Sequence, residues 1–281
     1  MAKKPPSLSE DEFRSLADKA RSIRRHVVEM LAEAGSGHPG GSLSAADIIT
    51  VLFFHVMKHK PGNPAWKNRD RFILSKGHAV PALYAALAEC GYFPAAELKN
   101  LRKQGSFLEG HPLRDVAHGI EATTGSLGQG LSFGVGVALA ARLDRKRFHT
   151  YVLMGDGEQD SGQIWEAAMS AAHYKLDNLT GIIDRNRLQI DGATEDVMRL
   201  EPLAKKWKAF GWRVTETDGH HVPSLAAALT MKKKKDTPHL VLAHTVKGKG
   251  VSFMENVVHF HGVAPGPDEK QRALEELERG S

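Results

Sequence analysis

Apolar residues follow two different spacings along this chain, and the two spacings alternate. Short unbroken apolar runs, typical of strands buried on both faces, are separated by segments in which apolar residues recur every three or four positions, as on one face of a helix. The predicted strands are 71–74, 151–154, 179–183, 213–216 and 239–244. Because strands and helices alternate, the sequence predicts an α/β fold: a parallel sheet with helices on both faces.

The helical spacing predicts helices over 13–31, 44–58, 81–89, 97–104, 131–143, 203–210 and 224–231, with another between the second and third strands. Ser9 and Glu12 form a capping box before the first helix. The Gly- and Pro-rich stretch 35–41 ends this helix and is not expected to form the interior of a helix. No repeat or linker divides the chain. We therefore predict one domain over 9–265, a flexible N-terminal tail over 1–8 and a charged C-terminal tail over 266–281.

Polar turns follow the second and third predicted strands. Residues 155–157 (Gly-Asp-Gly) end one strand, and 184–186 (Asp-Arg-Asn) end the next along the chain. Carboxyl ends of neighbouring parallel strands meet at one edge of a sheet, so Asp156 and Asn186 should lie close together. Their oxygens suit Mg2+ or Ca2+, and Mg2+ often completes its shell with phosphate oxygens and water. The flanking glycines let the backbone approach a phosphate, so the turns predict a metal–diphosphate site.

Composition narrows the functional classes. The single cysteine, Cys90, excludes an intrachain disulfide framework and fits a reducing cytosol. The N-terminus lacks an apolar signal core, and no apolar run approaches the length of a membrane span. A net charge of +5 favours anionic ligands only weakly and does not indicate a nucleic acid partner. We expect a cytoplasmic protein that binds neither nucleic acid nor a membrane.

Four histidines stand in short Gly- or Pro-containing turns, at His38, His78, His111 and His261. One such histidine by itself is usually structural. Here the turns Ser-Gly-His-Pro-Gly, Ser-Lys-Gly-His, Gly-His-Pro and His-Gly occur in order with Gly-Asp-Gly and with Asn186. Together these motifs resemble the N-terminal, diphosphate-binding domain of transketolase, a thiamine diphosphate enzyme. The resemblance extends over about residues 10–265, nearly the whole chain.

The resemblance implies thiamine diphosphate and Mg2+ as cofactors, with Ca2+ or Mn2+ as substitutes for the metal. The implied metal ligands are Asp156, Asn186 and the backbone carbonyl of Leu188. The implied cofactor-binding residues are His78, Gly125, Ser126, Leu127, Gly157, Glu158, Asn186 and His261. The implied catalytic residues are His38, His111, His261 and His78. Neutral imidazoles there would bind ketose oxygens and move protons near pH 7.

The implied reaction transfers a two-carbon ketol unit from a ketose, or its phosphate, to an aldose, or its phosphate. A full transketolase has further domains that bind the aminopyrimidine ring, supply the activating glutamate and grip the sugar phosphate. The present chain is too short to supply them, so it resembles the N-terminal subunit of a split transketolase. We expect it to be inactive alone and to act with a separate C-terminal subunit, in a heterotetramer containing two copies of each chain.

One position departs from the family pattern. The family commonly has a glutamate shortly after Gly-Asp-Gly, immediately before the next glycine, and this chain has Ser161 there. In the family that glutamate helps to couple two active sites. Ser161 has no charge, so Asp160 would have to take its place, although Glu166 on the following helix is retained.

Two other interpretations stay open at this point. The chain could be a subunit of another thiamine diphosphate enzyme, such as the α subunit of a 2-oxo acid dehydrogenase or a deoxyxylulose phosphate synthase. It could also be a non-catalytic, cofactor-binding partner subunit. The histidine turns favour a polyhydroxylated substrate over a 2-oxo acid, and a scaffold has no need of four such turns.

Overall fold

The computed structural model describes residues 8–279 of the chain. The helices are α1 (Glu10–Ala34), α2 (Pro39–Val51), α3 (Val80–Cys90), α4 (Gln129–Leu143), α5 (Gly162–His173), α6 (Thr194–Val197), α7 (Leu203–Ala209), α8 (Val222–Leu229) and α9 (Pro267–Arg279). The strands are β1 (Arg71–Leu74), β2 (Thr150–Gly155), β3 (Leu179–Arg185), β4 (Leu188–Gln189), β5 (Gly192–Ala193), β6 (Arg213–Asp218) and β7 (His239–His244). The predicted tail over 1–8 lies outside the described residues except for Leu8, which packs against the core.

Five strands form one parallel sheet in the order β1-β2-β3-β7-β6. All five are the strands that the apolar runs predict, within two residues at each end. The small antiparallel hairpin of β4 and β5 was not predicted. It follows β3 directly, so it stands at the carboxyl edge of the sheet, where α/β proteins bind ligands.

Each face of the sheet packs against its own group of helices. Side chains of successive strand residues point to opposite faces, so Leu153 and Val241 enter one core while Val152 and Leu240 enter the other. The first core contains α1, α2, α3 and α8, and the second contains α4, α5 and α7. Each fully buried leucine or valine contributes roughly 1.5–3 kcal/mol through removal of apolar surface from water. The predicted parallel α/β fold is confirmed.

The second helix begins at Pro39 and not at the predicted position 44, so it starts within the Gly- and Pro-rich stretch 35–41. Residues Pro39, Gly40 and Gly41 form the first turn of α2. Proline is tolerated there because the first helical N–H groups have no intrahelical partner. Gly40 is required by packing, since a Cβ at this position would lie 2.9 Å from the Phe260 carbonyl oxygen. Glycine occurs here because the first turn of α2 is tightly packed against neighbouring segments, and not because the helix is missing.

The segment Pro39–Val56 also corrects the expectation about apolar runs. It is long and apolar enough by composition to cross a membrane, yet 83% of it is buried within the fold. Every residue of α2 is buried. A helix that is apolar all round fits the centre of a protein core equally well.

Two further segments differ from their predictions. The predicted helix 97–104 is a short 3₁₀ segment, Ala95–Asn100, followed by turns. The predicted tail 266–281 contains α9, in which Ala273 and Leu277 are buried against α1. Charged residues dominate α9, so its narrow apolar stripe resembled a solvated tail in the sequence. Packing against α1 supplies the stability that a short charged helix lacks by itself.

A buried ion pair joins α1 to α2. The Arg24 guanidinium donates to Asp47, with Nη1–Oδ1 at 3.1 Å and Nη2–Oδ2 at 2.5 Å. His220 Nδ1 lies 2.7 Å from Asp47 Oδ2, and the Val246 N–H donates to His220 Nε2. The backbone bond at Nε2 leaves Nδ1 as the donor to Asp47. Burial opposes ionisation of Asp47, but Arg24 and His220 lower its pKa to about 2.

We expect Asp47→Asn to lower the free energy of unfolding at pH 7 by about 3–5 kcal/mol, because Arg24 is then buried without a counter-charge. Urea denaturation measures this. The folded pKa of Asp47 is below the ordinary value of 3.8, so its contribution is complete above about pH 4 and is lost as the pH falls toward about 2. The exposed Glu10–Arg14 pair provides a control: Glu10→Gln should cost under about 1 kcal/mol. Equal losses in both variants would contradict the prediction.

Candidate active site

The polar turns after β2 and β3 meet at the carboxyl edge of the sheet, as predicted. Gly155 of β2 pairs with Asp184 of β3 in parallel register. The two turns contact each other directly, since the Arg187 N–H donates to Asp156 Oδ2 at 2.5 Å. Asp156 and Asn186 are both buried here, at 2% and 5% exposure. Strand pairing thus places Asp156 and Asn186 on two adjacent turns that contact each other, although they are far apart along the chain.

Asp156 is surrounded by donors. Its Oδ1 accepts the Gly157 N–H at 2.8 Å, and its Oδ2 accepts Arg185 Nη1 at 3.2 Å. Burial and the neighbouring Asp184 raise the pKa of Asp156, while the Arg187 N–H and Arg185 act against that rise. A further positive charge beside Asp156 would favour the carboxylate form.

Asn186 and Leu188 provide two more oxygens on the same turn. Asn186 Oδ1 accepts the Leu188 N–H at 3.1 Å. The Leu188 carbonyl oxygen accepts from the Lys247 ammonium at 3.1 Å, so this carbonyl already faces a positive charge. Among the described residues, no group of three or more His, Cys, Asp or Glu side chains forms a complete metal cage. A carboxylate, an amide and a carbonyl fit Mg2+ only if phosphate oxygens and water complete its shell.

The four predicted histidines gather in one cluster beside these turns. The His38 ring centre lies 5.4 Å from His78, 5.9 Å from His111 and 5.7 Å from His261. His78 and His261 stack at 5.4 Å. They reach this point from four separate segments of the chain. His38 Nδ1 is buried and makes no hydrogen bond to any of the residues 8–279.

The surroundings keep these imidazoles neutral. Burial, followed by the charge of His111, lowers the pKa of His38 to about 4. Burial and Lys247 lower the pKa of His261 to about 3. The pKa values of His78 and His111 are also lowered, in both cases mainly by burial. Near pH 7 each ring therefore has one N–H donor and one acceptor nitrogen.

The predicted segment 125–127 lies against the histidine cluster. Gly125 has φ +143°, and a Cβ there would come within 3.1 Å of His111 Cδ2. A Cβ on Gly77 would lie 2.9 Å from the Gly125 nitrogen. The two loops touch backbone to backbone, while Ser126 and Leu127 remain exposed beside the cluster. Glycine at these positions makes room for the loops and for a ligand close to the main chain.

Sequence reasoning missed two buried lysines of the site. Lys76 is 1% exposed, and its ammonium donates to the Gly41 carbonyl and to Asp184. Lys247 is 2% exposed, lies 2.7 Å from His261 Nδ1, and has its pKa lowered to about 8 by burial and by Lys76. Each lysine precedes a glycine shortly after a predicted strand, which is the signal that was available in the sequence.

Asp184 and Arg185 were also missed as supporting residues. Asp184 is fully buried and accepts from Ser44, Lys76 and Thr245. Burial acts to raise its pKa, but Lys76 and the two hydroxyl donors hold the pKa below its ordinary value. Arg185 joins Asp156 to Glu195 and Glu201, with 3.0 Å to each glutamate. Both residues anchor the turn 184–186 to the rest of the domain.

Glu158 lies beneath the site, with its carboxylate bonded to protein donors from Ser75, Gly128 and Gly155. Burial raises its pKa, against the opposing effect of these three bonds. Ser161 is the N-cap residue of α5, and Asp160 accepts weakly from Gln189 at 3.5 Å. Whether Asp160 replaces the missing family glutamate stays a prediction.

Comparison with known proteins identifies the family. Residues 16–278 match the family model described as "Transketolase, thiamine diphosphate binding domain". The chain is 46% identical to one of the subunits of the apulose-4-phosphate transketolase of Phocaeicola vulgatus, over 95% of each chain. It is 44% identical to "6-deoxy-6-sulfo-D-fructose transketolase subunit SqwG" of Clostridium sp. (strain MSTE9), over 97% of this chain and 99% of that one.

Longer relatives match over only part of their length. Human transketolase is 39% identical, over 95% of this chain and 43% of that protein. The structure of transketolase from Leishmania mexicana superposes with a TM-score of 0.87 at 33% identity, covering 94% of this chain and 41% of that one. The chain thus spans nearly all of the relatives that are named as subunits and about two fifths of the longer ones. With this match in sequence and in fold, the chain belongs to the transketolase family, whose thiamine diphosphate-binding domain it contains.

Proposed function

We propose that this chain is the N-terminal subunit of a split transketolase, which transfers a two-carbon ketol unit from a ketose to an aldose. The observation that supports this most directly is the histidine cluster beside the turns 155–157 and 184–186. Neutral imidazoles provide several donors and acceptors for a polyhydroxylated substrate. A 2-oxo acid offers no comparable set of hydroxyl groups, so the cluster favours sugar chemistry.

Thiamine diphosphate, when bound, supplies the carbanion and the electron sink for cleavage of the carbon–carbon bond. We propose that Asp156, Asn186 and the Leu188 carbonyl hold Mg2+ on its diphosphate. Lys247, 3.1 Å from the Leu188 oxygen, adds a positive charge that favours the same anion. The Gly125–Leu127 backbone, Gly157, His78 and His261 would contact the cofactor.

The remaining histidine chemistry is that of binding and proton transfer. His38 Nδ1 is not used by the described residues and lies in the buried part of the cluster, and His111 lies at its exposed rim. Both can donate to or accept from sugar hydroxyl groups at neutral pH. An imidazole that loses a proton to one oxygen can take one from another, so the cluster can hold a proton during reversible cleavage and ligation.

The names of two relatives suggest a particular class of ketose substrate. The two relatives named as subunits carry the names of a sugar 4-phosphate and of a 6-deoxy-6-sulfo sugar, both of which have an anionic group. We propose a ketose donor with an anionic group at its far end, the pentose phosphates being the simplest members. The groups that bind this end would lie on the partner subunit.

The partner would be a C-terminal transketolase subunit with the pyrimidine-binding domain, in a heterotetramer with two copies of each chain. Relatives that are themselves named as subunits imply a second chain. The outward side of α4 supports extensive association, because residues 129–141 have no charged side chain and Phe133 is 46% exposed. An uncharged exposed helix face is typical of a surface that another chain covers.

A cytoplasmic location is proposed from the single free Cys90.

The purified chain with thiamine diphosphate, Mg2+, a ketose phosphate and an aldose phosphate should turn over at least about a hundredfold more slowly than the reconstituted pair, because the activating group belongs to the partner. A coupled assay with and without the second chain measures the rate, and light scattering measures the stoichiometry. Full turnover by this chain alone would exclude a split site.

His111→Ala should lower kcat/KM of the reconstituted enzyme by about a hundredfold, because one donor and proton carrier for the sugar is lost. The affinity for thiamine diphosphate should change little, since His111 stands at the rim of the cluster. His173→Ala, an exposed residue at the end of α5, serves as the control. An unchanged rate in His111→Ala would support a non-catalytic role for the chain.

Asp156→Asn should weaken Mg2+-dependent binding of thiamine diphosphate by at least about a hundredfold, because the one charged ligand is removed. Isothermal titration with and without Mg2+ measures this. Asp144→Asn removes the same charge at an exposed position that follows α4 and has no role in the site, and should leave the affinity nearly unchanged. If both variants bind like the unaltered chain, Asp156 is not a metal ligand.

A further inference from the structure

A single buried carboxylate joins three segments beneath the proposed cofactor site. Glu158 is 2% exposed. Its Oε1 accepts from the Ser75 hydroxyl and from the Gly128 N–H, the latter at 2.9 Å. Its Oε2 accepts the Gly155 N–H at 3.0 Å. Ser75 follows β1, Gly155 ends β2, and Gly128 is the N-cap of α4.

The chemistry of these contacts requires a carboxylate. All three partners donate a hydrogen bond, and none of them has a charge. A carboxylate is an acceptor at both oxygens, whereas a glutamine of the same shape directs an NH2 group at one of the donors. That change leaves a buried N–H facing another N–H, which costs more than the loss of one bond. The N-terminus of α4 favours negative charge at this place.

Two of the three segments that Glu158 joins are those proposed to contact the cofactor diphosphate. Gly128 follows directly on residues 125–127, and Gly155 precedes Asp156 and Gly157. The segments around Ser75 and Gly125 pack closely against each other. A Cβ on Gly130 would overlap Ser75, and a Cβ on Gly77 would lie 2.9 Å from the Gly125 nitrogen. Close packing thus sets the distance between the loops, and Glu158 supplies the hydrogen bonds that hold their orientation.

We propose that Glu158 is a positioning residue that fixes segment 125–128 against the metal-side turn 155–157, so that both meet the cofactor diphosphate in one geometry. Both of its oxygens are occupied by protein donors, so it acts through Gly128 and Gly155 in place of the direct cofactor contact that the family resemblance implies. The inference rests on the proposed cofactor site and adds to it the residue that couples its two halves. Residues one contact removed from a metal commonly change its affinity by about 10- to 100-fold.

The chain contains a matched control for this role. Gln129 Nε2 donates to Gln163 Oε1 at 2.6 Å, which also joins the start of α4 to the segment after β2. That contact is exposed, so water replaces it when it is lost. Gln163→Ala therefore removes a bond between the starts of α4 and α5, close to Gly128, without leaving an unsatisfied buried donor.

The experiment measures affinity of the full chain for thiamine diphosphate with Mg2+ by isothermal titration. Glu158→Gln should raise the dissociation constant by about 10- to 100-fold, and Ser75→Ala by a smaller factor of about three. Because Ser75 acts through Glu158, the double variant should bind like Glu158→Gln alone. Gln163→Ala should bind like the unaltered chain.

A second measurement separates positioning from general destabilisation. Amide hydrogen exchange without ligand should accelerate at Gly128 and Gly155 in Glu158→Gln, with little change in the core of β3. In the reconstituted enzyme, saturating cofactor should restore most of kcat while the cofactor concentration needed stays raised. Uniform acceleration of exchange across the domain would instead assign Glu158 a purely structural role and overturn the proposal.

The outcomes for the cofactor site and for Glu158 are distinguishable. If the unaltered chain does not bind thiamine diphosphate with Mg2+, the proposed site fails and the inference fails with it. If the unaltered chain binds and Glu158→Gln binds equally well, the site stands and the positioning role is overturned. If Glu158→Gln does not fold, Ser75→Ala decides: an unchanged dissociation constant rejects the role, and a raised one supports it.

Discussion

Parallel pairing of β2 with β3 is the constraint on which the rest of the site depends. The register that sets Gly155 opposite Asp184 places two polar turns side by side at the carboxyl edge of the sheet. Both strands are buried along their whole length, so the apolar contacts of two cores fix this register. A slip of one residue would exchange the faces of the strand and move Asp156 away from Asn186. The geometry of the polar edge is therefore set by apolar packing beneath it.

The carboxyl edge of the sheet brings several charged side chains together in the protein interior. Lys76 lies against Asp184, Arg185 against Asp156, and Lys247 against His261. Isolated charges at such depth would be strongly unfavourable, so each one has a partner. Burial, assisted by these positive groups, lowers the pKa values of the clustered histidines and keeps them neutral. A site of this composition favours an anion such as a diphosphate, while its imidazoles remain able to donate and accept hydrogen bonds.

The same edge explains why a partner chain fits the chemistry. The described residues gather Asp156, Asn186 and the histidine cluster at this one edge of the sheet. Leu127 and Ile190 are exposed beside those groups, at 40% and 65%. Apolar side chains next to a polar cluster suit a ligand or another chain that covers them. The uncharged outer side of α4 begins immediately after Leu127, so the same contact surface can extend from the site onto that helix.

The sequence by itself determined the strands, most of the helices, the meeting of Asp156 with Asn186, and the histidines that form the cluster. Periodicity and strand-end turns are local signals, and parallel topology converts them into neighbours in space. It did not determine that Pro39 begins a helix or that 267–279 packs as one, because in both cases tertiary contacts outweigh local preference. Nor did it reveal Lys76, Lys247 or the contacts of Glu158. A buried charge can be assigned only when the groups that pair with it are known. Those groups are distant in sequence, and they become neighbours only in the folded chain.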